Sequence, residues 1–303
     1  MNETGRQVAL VTGTSSGMGL HAAIELARRG LSVVATMRDV SRSDRLEAAA
    51  SEAGVELDVR ALDVTDHGAA RACVDGVLAD HGRLDVLVNN AGRGAVGTAE
   101  QLGLDEIRDQ LEVNYLGPVA LTKLVLPTMR AAGSGRVLTV TSVGGAVGQP
   151  FADAYCGAKF AVEGFMQSLS TVMLGHGVWV SVIEPAAVAS DFVSNVARPA
   201  GVSGAADAGA AVDAVDAADS GAAAADPYAA QLEAYLARTA GAFAAAQSAS
   251  DAGVAIADAV TSSDYRFRWQ TSDGATAFVG MSLADLDGGR VLGATRTWIE
   301  TEA

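Results

Sequence analysis

Two cysteines, Cys73 and Cys156, are the only thiols in this 303-residue chain. That number cannot build a disulfide framework, so a reducing, cytoplasmic setting is expected. Histidine is as scarce. His21, His67, His81 and His176 are scattered, and with two distant cysteines they give no metal-ligand spacing. Basic residues are also few: 21 Lys and Arg against 36 Asp and Glu leave a formal net charge of −15. Such a surface argues against nucleic acid and anionic membranes as partners. No uninterrupted apolar run is long enough to span a bilayer. The opening "MNETGRQVALVTG" is polar and then strand-like, without the basic-then-apolar plan of a secretory signal.

Half of the residues are hydrophobic, enough for one large domain over 1–303. Short apolar runs at 7–13, 31–37, 55–63, 83–92, 135–142 and 177–185 read as strands. Helical patterns near 42–53, 66–81, 105–131 and 153–175, and one after the first strand, alternate with them. Continuous β-branched strands separated by helices predict an α/β fold, a single Rossmann-type, doubly wound parallel sheet. After Arg198 the pattern breaks. Residues 199–226 are nearly all Ala, Gly, Asp, Ser and Val and read as a mobile or weakly helical insertion. Asp226-Pro227 then predicts a helix start, and 227–247 reads as a lid helix with Tyr228, Leu232, Tyr235, Leu236, Thr239 and Phe243 near one face. A final strand is expected near "TAFVGMSL" (276–283).

"VTGTSSGMG" (11–19) follows a strand and opens a helix. Gly13, Gly17 and Gly19, with Ser15, Ser16 and Met18 between them, suit a pyrophosphate, which needs bare backbone N–H groups at a helix N-terminus. The same letters fit G-x-S-x-G, so a serine hydrolase using Ser15 is a minor alternative, with His176 the one remote downstream histidine. The second strand ends "VVATMRD", where an acidic residue would bind ribose hydroxyls. Thr36 and Met37 are neutral and Arg38 follows, which favours the 2′-phosphate of NADP. NAD is the alternative should Asp39 stand at the ribose. Asp63, in "LDV" with Val64, is placed to accept from an adenine amino group.

Tyr155 and Lys159 lie four residues apart on one helical face. Taken in order, "TGTSSGMG" (12–19), "LDV" (62–64), "NNAG" (89–92), Asn114 in "EVNYLG", Ser142 in "VTSVGG" and Tyr155-x-x-x-Lys159 resemble the short-chain dehydrogenase/reductase family. The likeness covers roughly residues 5–198, and "ATMRD" and "YCGAKFAVEG" look most like its hydroxysteroid-dehydrogenase and ketoreductase branch. The resemblance implies a carbonyl–alcohol oxidoreductase. Tyr155 would be general acid and base, its pKa lowered by Lys159 and by the oxidised nicotinamide ring. Lys159 would also bind the nicotinamide ribose, Ser142 the substrate oxygen, and Asn114 a water relaying protons to Lys159. Asn90, Ala91 and Gly92 would line the cofactor. The family's Pro-Gly-x-Val-x-Thr, a carboxamide site, is here Pro185-Ala186-Ala187-Val188-Ala189-Ser190. Ala186 replaces a glycine and resists a positive φ. NADP(H) and an apolar, bulky substrate beside Phe151, Phe192 and Val193 are expected, as is a homodimer or homotetramer through helices 105–131 and 153–175. A non-catalytic NADP(H) sensor is the remaining alternative.

Overall fold

The protein is described from a computed structural model covering residues 5–191, 196 and 226–300. The insertion foreseen at 199–226 lies outside the described residues except for Asp226, as do Phe192 and Val193.

The strands are β1 (Val8–Thr12), β2 (Ser32–Met37), β3 (Asp58–Ala61), β4 (Val86–Asn89), β5 (Gly135–Val140), β6 (Val178–Glu184), β7 (Val188–Ala189), β8 (Gln247–Ser248) and β9 (Arg268–Gln270). Among the described residues, seven of them form one wholly parallel sheet in the order β3-β2-β1-β4-β5-β6-β9. The strand order reverses between β1 and β4. The crevice at their carboxyl ends is where open α/β sheets bind ligands.

The helices are α1 (Gly17–Arg28), α2 (Asp44–Ala53), α3 (His67–His81), α4 (Leu104–Leu111), α5 (Gly117–Ala132), α6 (Asp153–Leu174), α7 (Ala229–Ala244), α8 (Ala249–Thr261), α9 (Asp273–Leu283) and α10 (Gly289–Arg296). Side chains alternate across each strand. Val8 and Leu10 therefore pack with α3, α5 and α6, and Ala9 and Val11 with α1, α2 and α8. Each fully buried leucine, such as Leu10 or Leu121, contributes about 1.5–3 kcal/mol.

Three sequence expectations are corrected. "TAFVGMSL" is helix α9, not a strand: the Ser272 hydroxyl accepts from the Ala275 amide and caps it. The strand that completes the sheet is the three-residue β9. The single helix expected over 105–131 is two, joined by a π-turn at Glu112–Leu116. The helix expected over 227–247 runs from Ala229 to Ala244, because Asp226 Oδ1 accepts the Tyr228 amide at 2.9 Å in a turn that leaves Pro227 outside it.

Candidate active site

The turn after β1 is built for close backbone approach. Gly13 has φ +70°, and a Cβ there would lie 2.8 Å from Ala91 Cα. A Cβ on Gly19 would overlap both Asn90 Nδ2 and the Gly13 carbonyl oxygen. The Asn90 amide is spent holding this turn, donating to Thr12 O at 2.8 Å and Gly13 O at 3.0 Å. Thr12 Oγ1 accepts the Asn90 and Ala91 amides. Ser15, Ser16, Gly17 and Met18 are partly exposed, and α1 begins at Gly17 with no acidic residue in its first turn. This bare, positive helix end fits a dinucleotide's pyrophosphate.

Arg38 is exposed just beyond β2. The Asp39 carboxylate is turned to local use, accepting the Ser41 amide at 3.0 Å as the cap of a 3₁₀ turn. Asp63 accepts from the Thr65 amide at 2.9 Å and hydroxyl at 2.8 Å. Burial opposes its ionisation, yet these bonds and the Arg38 and Arg93 guanidiniums hold its carboxyl below the usual range. Val64 is buried beside it.

Asn114, Ser142, Tyr155 and Lys159 converge at the carboxyl end of β5. Asn114 is fully buried in the π-turn, its Nδ2 donating to Arg93 O at 2.9 Å and Gln110 Oε1 at 3.0 Å. A Cβ on Gly92 would touch both Asn114 and Lys159. Ser142 follows β5, accepts the Gly144 amide at 2.9 Å, and hydrogen-bonds the Tyr155 phenol. Lys159 is buried and donates to the Val140 carbonyl oxygen at 3.0 Å. Its ammonium lies 5.8 Å from the centre of the Tyr155 ring. Burial pushes the Lys159 pKa down to about 8, against an opposing pull from Glu163. The lowered tyrosine pKa expected from the sequence is corrected: burial raises Tyr155 well above 10, and the Ser142 bond offsets only part of that. The reason is that Lys159 turns its charge to the Val140 carbonyl.

The segment after β6 closes over the glycine turn. Val143 donates to Pro185 O at 2.9 Å, Val188 is buried in β7, and Ser190 sits against Gly17. Ala186 is not strained, because Phe151 is the one non-glycine residue with positive φ among those described. At φ 58° the Phe151 backbone is costly for an aromatic residue. Its ring meets Tyr235 of α7 at 5.6 Å, and with Leu232 they form a small buried cluster. Tyr235 also lies near enough to Tyr155 to disfavour the latter's ionisation. Beside this cluster an open pocket of about 320 Å³ is lined by Thr98, Pro150, Phe151, Asp153, Tyr228 and Ile299 among others.

Residues 7–200 match the family model of short chain dehydrogenases. The chain belongs to the short-chain dehydrogenase family. It is 43% identical over 197 residues to human 17-beta-hydroxysteroid dehydrogenase type 1, a match covering 63% of this chain and 60% of that protein's length. The solved structure of a short-chain dehydrogenase from Streptomyces avermitilis is similar over 97% of both chains, with TM-score 0.76 and 27% identity. A metagenomic short-chain oxidoreductase solved in complex with NADP is 37% identical with TM-score 0.57, over 59% of this chain and 81% of the other.

The hydrolase alternative does not survive the topology of this short-chain dehydrogenase. Ser15 follows β1 at the carboxyl edge of the sheet, whereas His176 precedes β6 at the amino edge and three strand positions along, so more than a strand length, roughly 20 Å, separates them. Among the described residues, no group of His, Cys, Asp and Glu side chains is arranged to hold a metal. No described helix is long and apolar enough to cross a membrane.

Glu163 and Arg268 also lie by this site, and neither is among the residues the sequence motifs single out. Glu163 carried a signal: it continues the Tyr155 and Lys159 face one turn on and is acidic amid apolar neighbours. Arg268 carried none, since its partner is 105 residues away.

Proposed function

We propose that this short-chain dehydrogenase is an NADP-dependent oxidoreductase that interconverts a carbonyl and a secondary alcohol on an apolar, bulky substrate. The convergence of Ser142, Tyr155, Lys159 and Asn114 at the switch-point edge of the sheet is the observation that carries this reading. The turn of Gly13, Gly17 and Gly19 would hold NADPH, and the chemistry it would supply when bound is hydride donation to a carbonyl carbon. Ser142 holds the substrate oxygen with its hydroxyl, and Tyr155 gives that oxygen its proton. The Ser142 hydrogen bond, which favours the ionised phenol, stabilises the resulting tyrosinate. Asn114 anchors the water through which Lys159 and then Tyr155 are reprotonated. Arg38 favours NADP over NAD, since Asp39 is engaged in its own cap. The apolar cluster of Phe151, Leu232 and Tyr235 supports a bulky substrate, as does the likeness to a hydroxysteroid dehydrogenase. Exposed Leu116, in the π-turn that leads into α5, and Phe160 and Val172 on α6 support pairing of copies through these helices.

The test is NADPH oxidation with a panel of steroid ketones, quinones and other hydrophobic ketones, beside Tyr155→Phe. Turnover in the wild type, with kcat roughly 10²–10⁴-fold lower in the variant and NADPH affinity retained, is expected. Tight NADPH binding with no turnover across the panel would favour a sensor instead.

A further inference from the structure

Lys159 carries an ammonium into a site where the neighbours it touches are neutral: the Val140 carbonyl, Asn114 beyond Gly92, and the Tyr155 ring. A buried ammonium without a counter-charge is unstable. One helical turn further on, Glu163 is buried. Its Oε2 accepts from Arg268 Nη1 at 2.5 Å and its Oε1 from the Thr141 hydroxyl at 2.8 Å. Arg268 is shared, because the same nitrogen reaches Glu184, which is fully buried and also accepts from Gln270 Nε2 at 2.5 Å. Two carboxylates against one guanidinium leave one negative charge over. Lys159 and Glu163 are both buried, four residues apart on one face of α6.

Glu163 also underlies the Ser142 turn. Thr141, its hydrogen-bond partner, immediately precedes Ser142. A Cβ on Gly145, at the far end of that turn, would overlap the Glu163 carboxylate. The carboxylate thus touches the turn on both sides of the substrate-binding hydroxyl.

We propose that Glu163 is a positioning residue for the reaction assigned above: it is the buried counter-ion of Lys159 and the floor of the Ser142 turn, tied through Arg268 to the last strand of the sheet. The proposal rests on the oxidoreductase reading for its catalytic meaning. Burial and the neighbouring Glu184 push the Glu163 carboxyl well above the usual range, while Arg268 and Thr141 pull the other way. The pull of Glu163 on Lys159 is upward. Glu163 therefore keeps the ammonium charged at higher pH than burial alone would allow. The charged and titratable groups around the pair are Tyr155 on α6, Glu184 on β6 and Arg268 on β9.

The test needs no substrate. The chain has two lysines, Lys123 and Lys159, so NMR of protein carrying ¹³C-lysine reads Lys159 directly, with exposed Lys123 as internal reference. Glu163→Gln is expected to lower the Lys159 midpoint by about one pH unit, and Glu184→Gln by less. An unchanged midpoint in folded Glu163→Gln, or equal shifts in both variants, overturns the proposal. Should Glu163→Gln not fold, adding Lys159→Met is expected to restore folding by removing the stranded ammonium; a double variant no more stable than the single one overturns it. The alkaline limb of kcat/KM should move with the NMR midpoint. A shifted midpoint in a protein without NADPH-dependent turnover would leave the ion pair standing and overturn the oxidoreductase reading.

Discussion

Gly19 and Asn90 share one small volume: a Cβ on the glycine would overlap the asparagine's Nδ2. The asparagine cannot yield, because that nitrogen holds the carbonyls of Thr12 and Gly13. Gly19→Ala therefore pushes the whole glycine turn outward. A loss of about 1–3 kcal/mol in urea denaturation is expected, with weaker NADPH binding by fluorescence titration. An alanine variant with native stability and affinity would show that the turn has slack.

Arg38 offers a guanidinium where Asp39 is already occupied. Arg38→Glu replaces the proposed phosphate partner by a repelling charge. The KM for NADPH should rise about 10- to 100-fold, while that for NADH falls or holds. Equal effects on both cofactors would remove Arg38 from the 2′-phosphate.

Lys159 gives a pH dependence of stability with a definite sign. Its folded pKa is pushed down to about 8 from the ordinary 10.5. Below pH 8 both states keep the proton. Between these values the folded state releases it and the unfolded chain does not, so stability rises with pH there. Tyr155 and Cys156 are shifted upward by burial and act in the opposite direction, so the comparison is wild type minus Lys159→Met. That difference should grow by roughly 1–3 kcal/mol between pH 8 and 10. Urea unfolding at a series of pH values measures it, and a flat difference would mean the ammonium is solvated.

The parallel sheet was legible because its inner strands are continuous and β-branched, as in "QVALVTG" and "GVWVSVIEP". The turn between β1 and α1 was legible because glycine spacing reports backbone geometry directly. Where the reading failed, local pattern was ambiguous or silent. "TAFVGMSL" is an apolar run without alternation, which periodicity cannot divide between strand and buried helix. The Ser272 cap just before it was the stronger signal. Strand β9 is too short and polar to announce itself. The π-turn around Asn114 leaves no trace in residue types. The Tyr155 pKa failed for another reason: spacing on a helix puts Lys159 beside it, but a carbonyl on β5 decides where the ammonium points.

Glu184 ends β6 and Arg268 begins β9. The two are ion-paired, and Glu184 stands opposite Gln270 in the ladder. The chain that leaves β6 at Glu184 thus returns to β9 at Arg268 through a stapled doorway. Closing a longer excursion costs entropy only as the logarithm of its length. Length can therefore be added between β7 and α7 at little cost, while the Glu184–Arg268 staple and α8, packed in the core against α1, hold the frame shut.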